Sequence, residues 1–166
     1  RFARGLCGLY ARHPDLHIDI SADDRMADMA RDGIDIAMRT GAMPGDSLVA
    51  RQIGAYGRTL CASPAYLARH GMPSRVADLA QHRLIASSVS PSLNRWALTP
   101  AGAGSTETDG NGKDSASGGH GIWMVQGHTR SDNSAATLAL VLHGVGMARL
   151  SDLVARPHLA SGALVP

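Results

Sequence analysis

The chain has 166 residues, of which 44% are apolar, 18% charged and 4% aromatic; this is the composition of one globular domain or two very small ones, and it excludes a disordered chain. No apolar stretch approaches the roughly 20 residues that a membrane-spanning helix needs. The net charge of +2 arises from 15 Arg and one Lys (Lys113) against 13 Asp and one Glu (Glu107), scattered and interleaved, so no clustered basic patch points to nucleic acid.

Phe2, Leu6, Leu9 and Tyr10 recur at helical spacing, and Pro14 stops that helix. Leu16, Ile18 and Ile20 alternate with His17 and Asp19, the pattern of a strand. A helix is predicted over residues 23–32, with Met26, Met29 and Ala30 on one face and Gly33 as its C-terminal cap. Residues 34–38 read as a second strand, followed by Arg39-Thr40-Gly41 and a loop holding Pro44-Gly45. Residues 48–53 and 58–62 read as two more strands. Ser63 and Pro64 then open a short helix as N-cap and first residue; it carries Tyr66 and Leu67 and ends at Gly71. A second short helix is expected over 76–80, and strands over 84–87 and 94–98.

Residues 99–121 hold seven glycines among Ser, Thr, Asp and Asn, with almost nothing apolar to bury, and read as a flexible insertion. No G-K-[ST] occurs there, so it is not a phosphate loop. Residues 122–125 resume an apolar pattern. Ser131-Asp132-Asn133-Ser134 precedes a strong helix over 135–143, with Gly144 just beyond its end. Residues 145–150 read as a strand, 151–156 as a short helix ended by Pro157, and Leu164-Val165 as the beginning of a last strand. Helices alternate with strands, which favours an α/β fold with a mostly parallel sheet.

The constellations of known chemistries are missing. His13 and His17 are four apart, but Pro14 lies between them; no H-E-x-x-H or zinc-spaced Cys/His cluster occurs, so no metal is expected. No G-x-S-x-G elbow and no tuned carboxylate pair is visible, so no catalytic residue is assigned and no cofactor is implied. The aspartates at 23, 24, 28, 32 and 35 read as a solvated face. Cys7 and Cys61 read as two buried thiols of a reducing compartment.

The polar junctions before helices carry more. Ser131, Asn133 and Ser134 stand at the amino end of a helix, where backbone N–H groups can receive a carboxylate or another small anion; the same residues can equally serve only as its cap. Arg39, with Thr40 and Gly41, stands at the carboxyl end of a predicted parallel strand, where open α/β sheets bind ligands. Arg39 there either binds an anion or pairs with an aspartate.

Several segments in order resemble the effector-binding domain of LysR-type transcriptional regulators. They are Gly33-Ile-Asp-Ile-Ala-Met-Arg-Thr-Gly41, Asp46-Ser-Leu-Val-Ala-Arg51, Leu60-Cys-Ala-Ser-Pro-Ala-Tyr-Leu67 and Gly71-Met-Pro73. Asp78-Leu79, His82, Trp96, Asp132-Asn133, Gly144-Val-Gly-Met-Ala148 and Gly162-Ala-Leu-Val165 follow at matching places. The resemblance covers nearly the whole chain apart from the glycine-rich insertion. It implies a two-lobed α/β fold of the type 2 periplasmic-binding-protein kind, truncated at both ends. Residues 1–60 with 162–166 would form lobe one, and 61–161 lobe two.

By that resemblance a small-molecule effector sits between the lobes and modulates transcription; Arg39 and the helix amino end favour an anion if both face it, and Asp132 argues against one if it points inward. Arg39, Thr40 and Gly41 would line the cleft from lobe one, and Ser87, Ser88, Ser131, Asn133 and Ser134 from lobe two. DNA would be bound only through a helix-turn-helix module outside this chain, which begins at Arg1 without a Met and reads as a fragment. A cytoplasmic homo-oligomer is expected, joined through the helix that begins at Phe2, with no membrane contact. The rival readings are a secreted solute-binding protein of a transporter, an enzyme on the same fold, and a non-functional remnant of a regulator.

Overall fold

The computed structural model describes residues 2–23, 28–39, 48–98 and 121–166. Its elements are α1 (Phe2–Arg12), β1 (Arg58–Cys61), α2 (Pro64–His70), β2 (Ile85–Ser87), β3 (Arg95–Leu98), β4 (Gly121–Met124), β5 (Thr129–Ser131), α3 (Ser134–Leu142), β6 (Ala148–Ser151) and α4 (Asp152–Ala160). Short 3-10 turns occupy Val76–Gln81 and Pro91–Asn94.

Among the described residues three ladders form: β1 pairs antiparallel with β6, β2 parallel with β5, and β3 antiparallel with β4. One single bridge joins the first two, and another sets Val165 beside the end of β1. Leu84 lies parallel to Met147, the residue before β6, and Ala62 antiparallel to Val165. The Met147 amide donates to the Arg83 carbonyl at 2.8 Å, and the Ile85 amide to the Met147 carbonyl at 2.9 Å. The backbone therefore runs β5, β2, β6, β1 and Val165 side by side.

Alternation along these strands separates two cores. Leu84, Ala86, Met147 and Ala62 point into one, with Tyr66, Leu79, Trp96 and Val125. Ile85, Ala148, Leu150 and Cys61 point into the other, with Val141, Ala155 and Leu164. The period-2 pattern is thus buried on both faces, as a sheet covered on both sides requires. Trp96 is the largest side chain in the first core, and its indole N–H donates to the Leu93 carbonyl at 3.1 Å. Gly146 lets two strands approach closely: a Cβ there would meet the Arg83 carbonyl oxygen.

The resemblance motifs around residues 60–82 serve this packing. Ser63 caps α2 by accepting the Tyr66 amide at 3.3 Å. Asp78 accepts the Ser74 amide and hydroxyl and the Arg75 amide, all at 2.9 Å, and these hydrogen bonds hold its carboxyl below the usual range. Tyr66 is fully buried, and its phenol oxygen accepts the Arg83 amide at 2.8 Å. The same hydroxyl also hydrogen-bonds Nδ1 of buried His82, 3.3 Å away, with the donor set by the histidine tautomer. Burial, and then the neighbouring His70, lower the His82 pKa below its ordinary 6.5.

Helix α1 ends before Pro14 as its stripe requires. Residues 29–33 form turns and not the expected helix; the positive φ of Gly33, 64°, and the Ile34 amide donating to the Met29 carbonyl at 2.9 Å close that turn as a helix cap would. Residues 24–27 of that expected helix lie outside the described residues, as do 99–120 of the glycine-rich insertion.

Other expectations need correction. Residues 16–20, 34–38 and 48–53 alternate like strands but join no ladder. Ile36 is 85% exposed and Val49 wholly so. A strand needs a partner for its N–H and C=O groups, and none is present among the described residues. The last helix does not stop at Pro157 but continues to Ala160. A proline there removes one hydrogen bond, to the carbonyl of exposed Leu153, which solvent can satisfy. Strand β5 carries no sequence pattern of its own; its alignment beside β2 creates it. Cys61 is buried as expected, but Cys7 is exposed on α1.

Candidate functional site

Parallel pairing places the carboxyl ends of β2 and β5 side by side. Ser87 stands opposite Ser131 in register, and the Ser88 amide donates to the Ser131 carbonyl at 2.9 Å. Two residues beyond β5 the chain enters α3, so the amino end of that helix lies at the same edge of the sheet. This is the geometry in which α/β sheets expose backbone donors to a ligand.

Turn chemistry makes the edge rigid. The Asn133 Oδ1 accepts the Ala136 amide at 2.9 Å, and the Asn133 carbonyl accepts the Thr137 hydroxyl at 2.9 Å. The Ser131 hydroxyl donates to the Asn133 carbonyl at 2.9 Å and accepts the Asn133 amide at 3.2 Å. The Ser87 hydroxyl accepts the Val89 and Ser90 amides, each at 3.3 Å. Ser131 and Asn133 therefore spend side-chain acceptors on holding the helix entry, while Ser88, Asn133 and Ser134 remain exposed and Ser87 and Ser131 half-buried.

One residue here escaped the sequence. Asn94 is buried, its Oδ1 accepts the Ser87 amide at 2.7 Å, and its Nδ2 donates to the Ser87 carbonyl at 2.8 Å. The amide side chain pairs with Ser87 as a neighbouring strand would, and fixes the end of β2. Its only sequence signal was an Asn where a strand was expected to begin.

Of the eight expected site residues, the structure thus brings together Ser87, Ser88, Ser131, Asn133 and Ser134. Arg39 is exposed at the end of an extended segment, and Thr40 and Gly41 lie outside the described residues. Among the described residues no three His, Cys, Asp or Glu side chains cluster to hold a metal ion. The Cys61 thiol is pushed up to about 12 by burial and then by the Asp152 carboxylate, so it stays protonated and is a poor nucleophile. No described helix is long and apolar enough to cross a membrane.

Comparison with known proteins places this geometry in context. The family described as the LysR substrate binding domain matches residues 4–166. The uncharacterized HTH-type transcriptional regulator YhjC of Escherichia coli (strain K12) is 31% identical over 154 residues, covering 92% of this chain and 46% of the relative. The HTH-type transcriptional regulator CrgA of Neisseria meningitidis serogroup C (strain 8013) is 28% identical over 155 residues, 93% of this chain and 46% of that protein. The chain thus spans about half the length of these relatives. Among solved structures, the regulatory domain of CrgA from Neisseria meningitidis superposes with a TM-score of 0.79 at 25% identity, covering 99% of this chain and 72% of that one. The full-length Vibrio cholerae virulence activator AphB superposes with a TM-score of 0.72 at 26% identity, covering 96% of this chain and 49% of that one.

Proposed function

The chain belongs to the LysR substrate-binding domain family, with its two-lobed periplasmic-binding-protein-like α/β fold, and from that premise we propose that it is the sensor half of a cytoplasmic transcriptional regulator. Its relatives are transcriptional regulators rather than enzymes. The effector is a small molecule, anionic by the chemistry of the edge described above, held between two lobes. Residues 1–60 with 162–166 form one lobe and 61–161 the other. This division is supported by the Ala62–Val165 bridge, in which the chain's two crossings run side by side, with amide-to-carbonyl distances of 3.0 and 2.8 Å.

The observation that carries the reading is the joint position of Ser87, Ser88 and Ser131 at parallel strand ends that lead into α3. Backbone N–H groups and the helix dipole there favour negative charge, and Arg39 supplies the opposing cation from lobe one. Effector binding acts by favouring one arrangement of lobes and subunits over another, which requires different affinity for the two. That arrangement reaches DNA through a helix-turn-helix module outside this chain. Subunits join through α1, whose Tyr10 is 41% exposed.

The test is a thermal-shift screen with small mono- and dicarboxylates such as benzoate, succinate and glutarate. At least one is expected to raise the melting temperature of the chain, and Arg39→Ala is expected to abolish the shift without changing the ligand-free melting point. A hit that stabilises the Arg39→Ala protein equally removes Arg39 from the site. No hit at all removes the anionic effector.

A further inference from the structure

A cavity of about 660 Å³ opens beside the first core, and neither Ser87 nor Ser131 lines it. That volume is within the usual range for a small-molecule site. Its floor is apolar, formed by Leu60, Ala62, Leu79 and Met147, and its wall carries Arg58 and Arg149. Register explains the combination. Leu60 opposes Arg149 and Arg58 opposes Ser151 in the β1–β6 ladder, so the two arginines are diagonal neighbours on one face, within reach of each other's long side chains. That face is the one carrying Ala62 and Met147 into the first core.

The charge balance at the cavity is one-sided. Among the described residues, Arg58, Arg75, Arg149 and Arg156 line it with one acidic side chain, Asp152. Asp152 accepts the Thr59 hydroxyl at 2.7 Å, and Arg75 is partnered by Asp78 at 3.5 Å. Arg58 and Arg149 have interactions of their own within the protein, which pre-order them, and a guanidinium with five N–H donors can take a further acceptor. Two half-buried guanidinium groups above an aliphatic floor match one ligand chemistry: a carboxylate head with an apolar tail.

We propose that this cavity, lined from both lobes around the Ala62–Val165 crossing, is a second small-molecule site, distinct from the Ser87–Ser131 edge, that takes an amphipathic carboxylic acid with its head at Arg58 and Arg149 and its tail over Leu79 and Met147. The probe is decanoate, followed by NMR of methyl-labelled protein. Saturable shifts of the Met147 and Leu79 methyl groups are expected, while Ala136 at the start of α3 stays still. Decanol, which keeps the tail and loses the charge, is expected to bind at least about tenfold more weakly. This comparison needs no variant. Arg149→Gln and Arg58→Gln, each checked for unchanged circular dichroism, are expected to weaken decanoate about tenfold and decanol little.

Equal binding of decanoate and decanol would mean an apolar hole without an anion site, and would overturn the proposal. Absence of saturable shifts would overturn it as well. Shifts at Ala136 instead of Met147 would place the acid at the Ser87–Ser131 edge, which sinks this site and supports the other. Failure of the carboxylate screen with success here would separate the two sites in the opposite direction.

Discussion

Residues 58–98 with 121–166 and residues 16–57 carry similar apolar alternation but end differently. In the first region every apolar strand pattern meets a neighbour, and the alternating side chains fill two cores. In the second, Ile20, Ile36, Met38, Val49 and Ile53 are all more than half exposed, and the described residues form no ladder. Alternation decides which side chains share a face, but a strand exists only where another backbone accepts its hydrogen bonds. The difference teaches that a sheet is a property of pairs.

The strongest way to test that contrast is to delete buried volume on one side of it. Trp96→Ala empties the largest side chain of the first core and is expected to cost about 3–5 kcal/mol of unfolding free energy, read by urea denaturation. Gly146→Ala forces a methyl group against the Arg83 carbonyl; a loss of about 1–3 kcal/mol is expected from the strand separation it imposes. A neutral result would show that the bridge between Leu84 and Met147 is loose.

Asn94→Ala removes both hydrogen bonds to Ser87 and leaves backbone groups unpaired, at about 1–3 kcal/mol. It should also weaken any ligand held at Ser88 and Ser131, whereas a purely structural Asn94 would lower the melting point and leave ligand affinity unchanged. A smaller effect concerns His82. Its folded pKa lies below the ordinary 6.5, so the unfolded chain binds the proton more readily. Stability is therefore complete above about pH 6.5 and falls as pH drops from there through the lowered folded value. Urea midpoints at pH 7.5 and 5.5 should differ more in the wild type than in His82→Gln. Equal differences would show that His82 is not the group responsible. The smallest effect is expected on the other side of the comparison: Val49→Ala, at a wholly exposed position, should change stability by less than about 0.5 kcal/mol. A larger loss would reveal that Val49 is covered in solution.

Much of the fold was legible in the residues themselves. The Ser63-Pro64 helix start, the Gly144 helix end, the turn at Gly33 and the strands around 58–61, 85–87 and 95–98 follow from local chemistry, because capping and turn preferences act within a few residues. The candidate site was half legible. Asn133 announced a helix start, and that helix now stands beside Ser87 and Ser88. The sequence could not show Asn94 clamping Ser87, since a bidentate amide bond has no periodic signature. Nor could it show that Arg58 and Arg149 share a face: they are distant along the chain, and only the β1–β6 register makes them neighbours.

Pro157 makes the same distinction in reverse. Local chemistry places a stop there, yet α4 continues because Ala155 and Leu159 pack against the second core, and burying that face outweighs one missing hydrogen bond. The amino-acid sequence by itself determined the family, the helix caps and which side chains are apolar together, because those depend on residue identity and short spacing. Tertiary structure alone decided which strands find partners, where the parallel ends converge and how two arginines meet over an apolar floor, because those depend on register between distant segments.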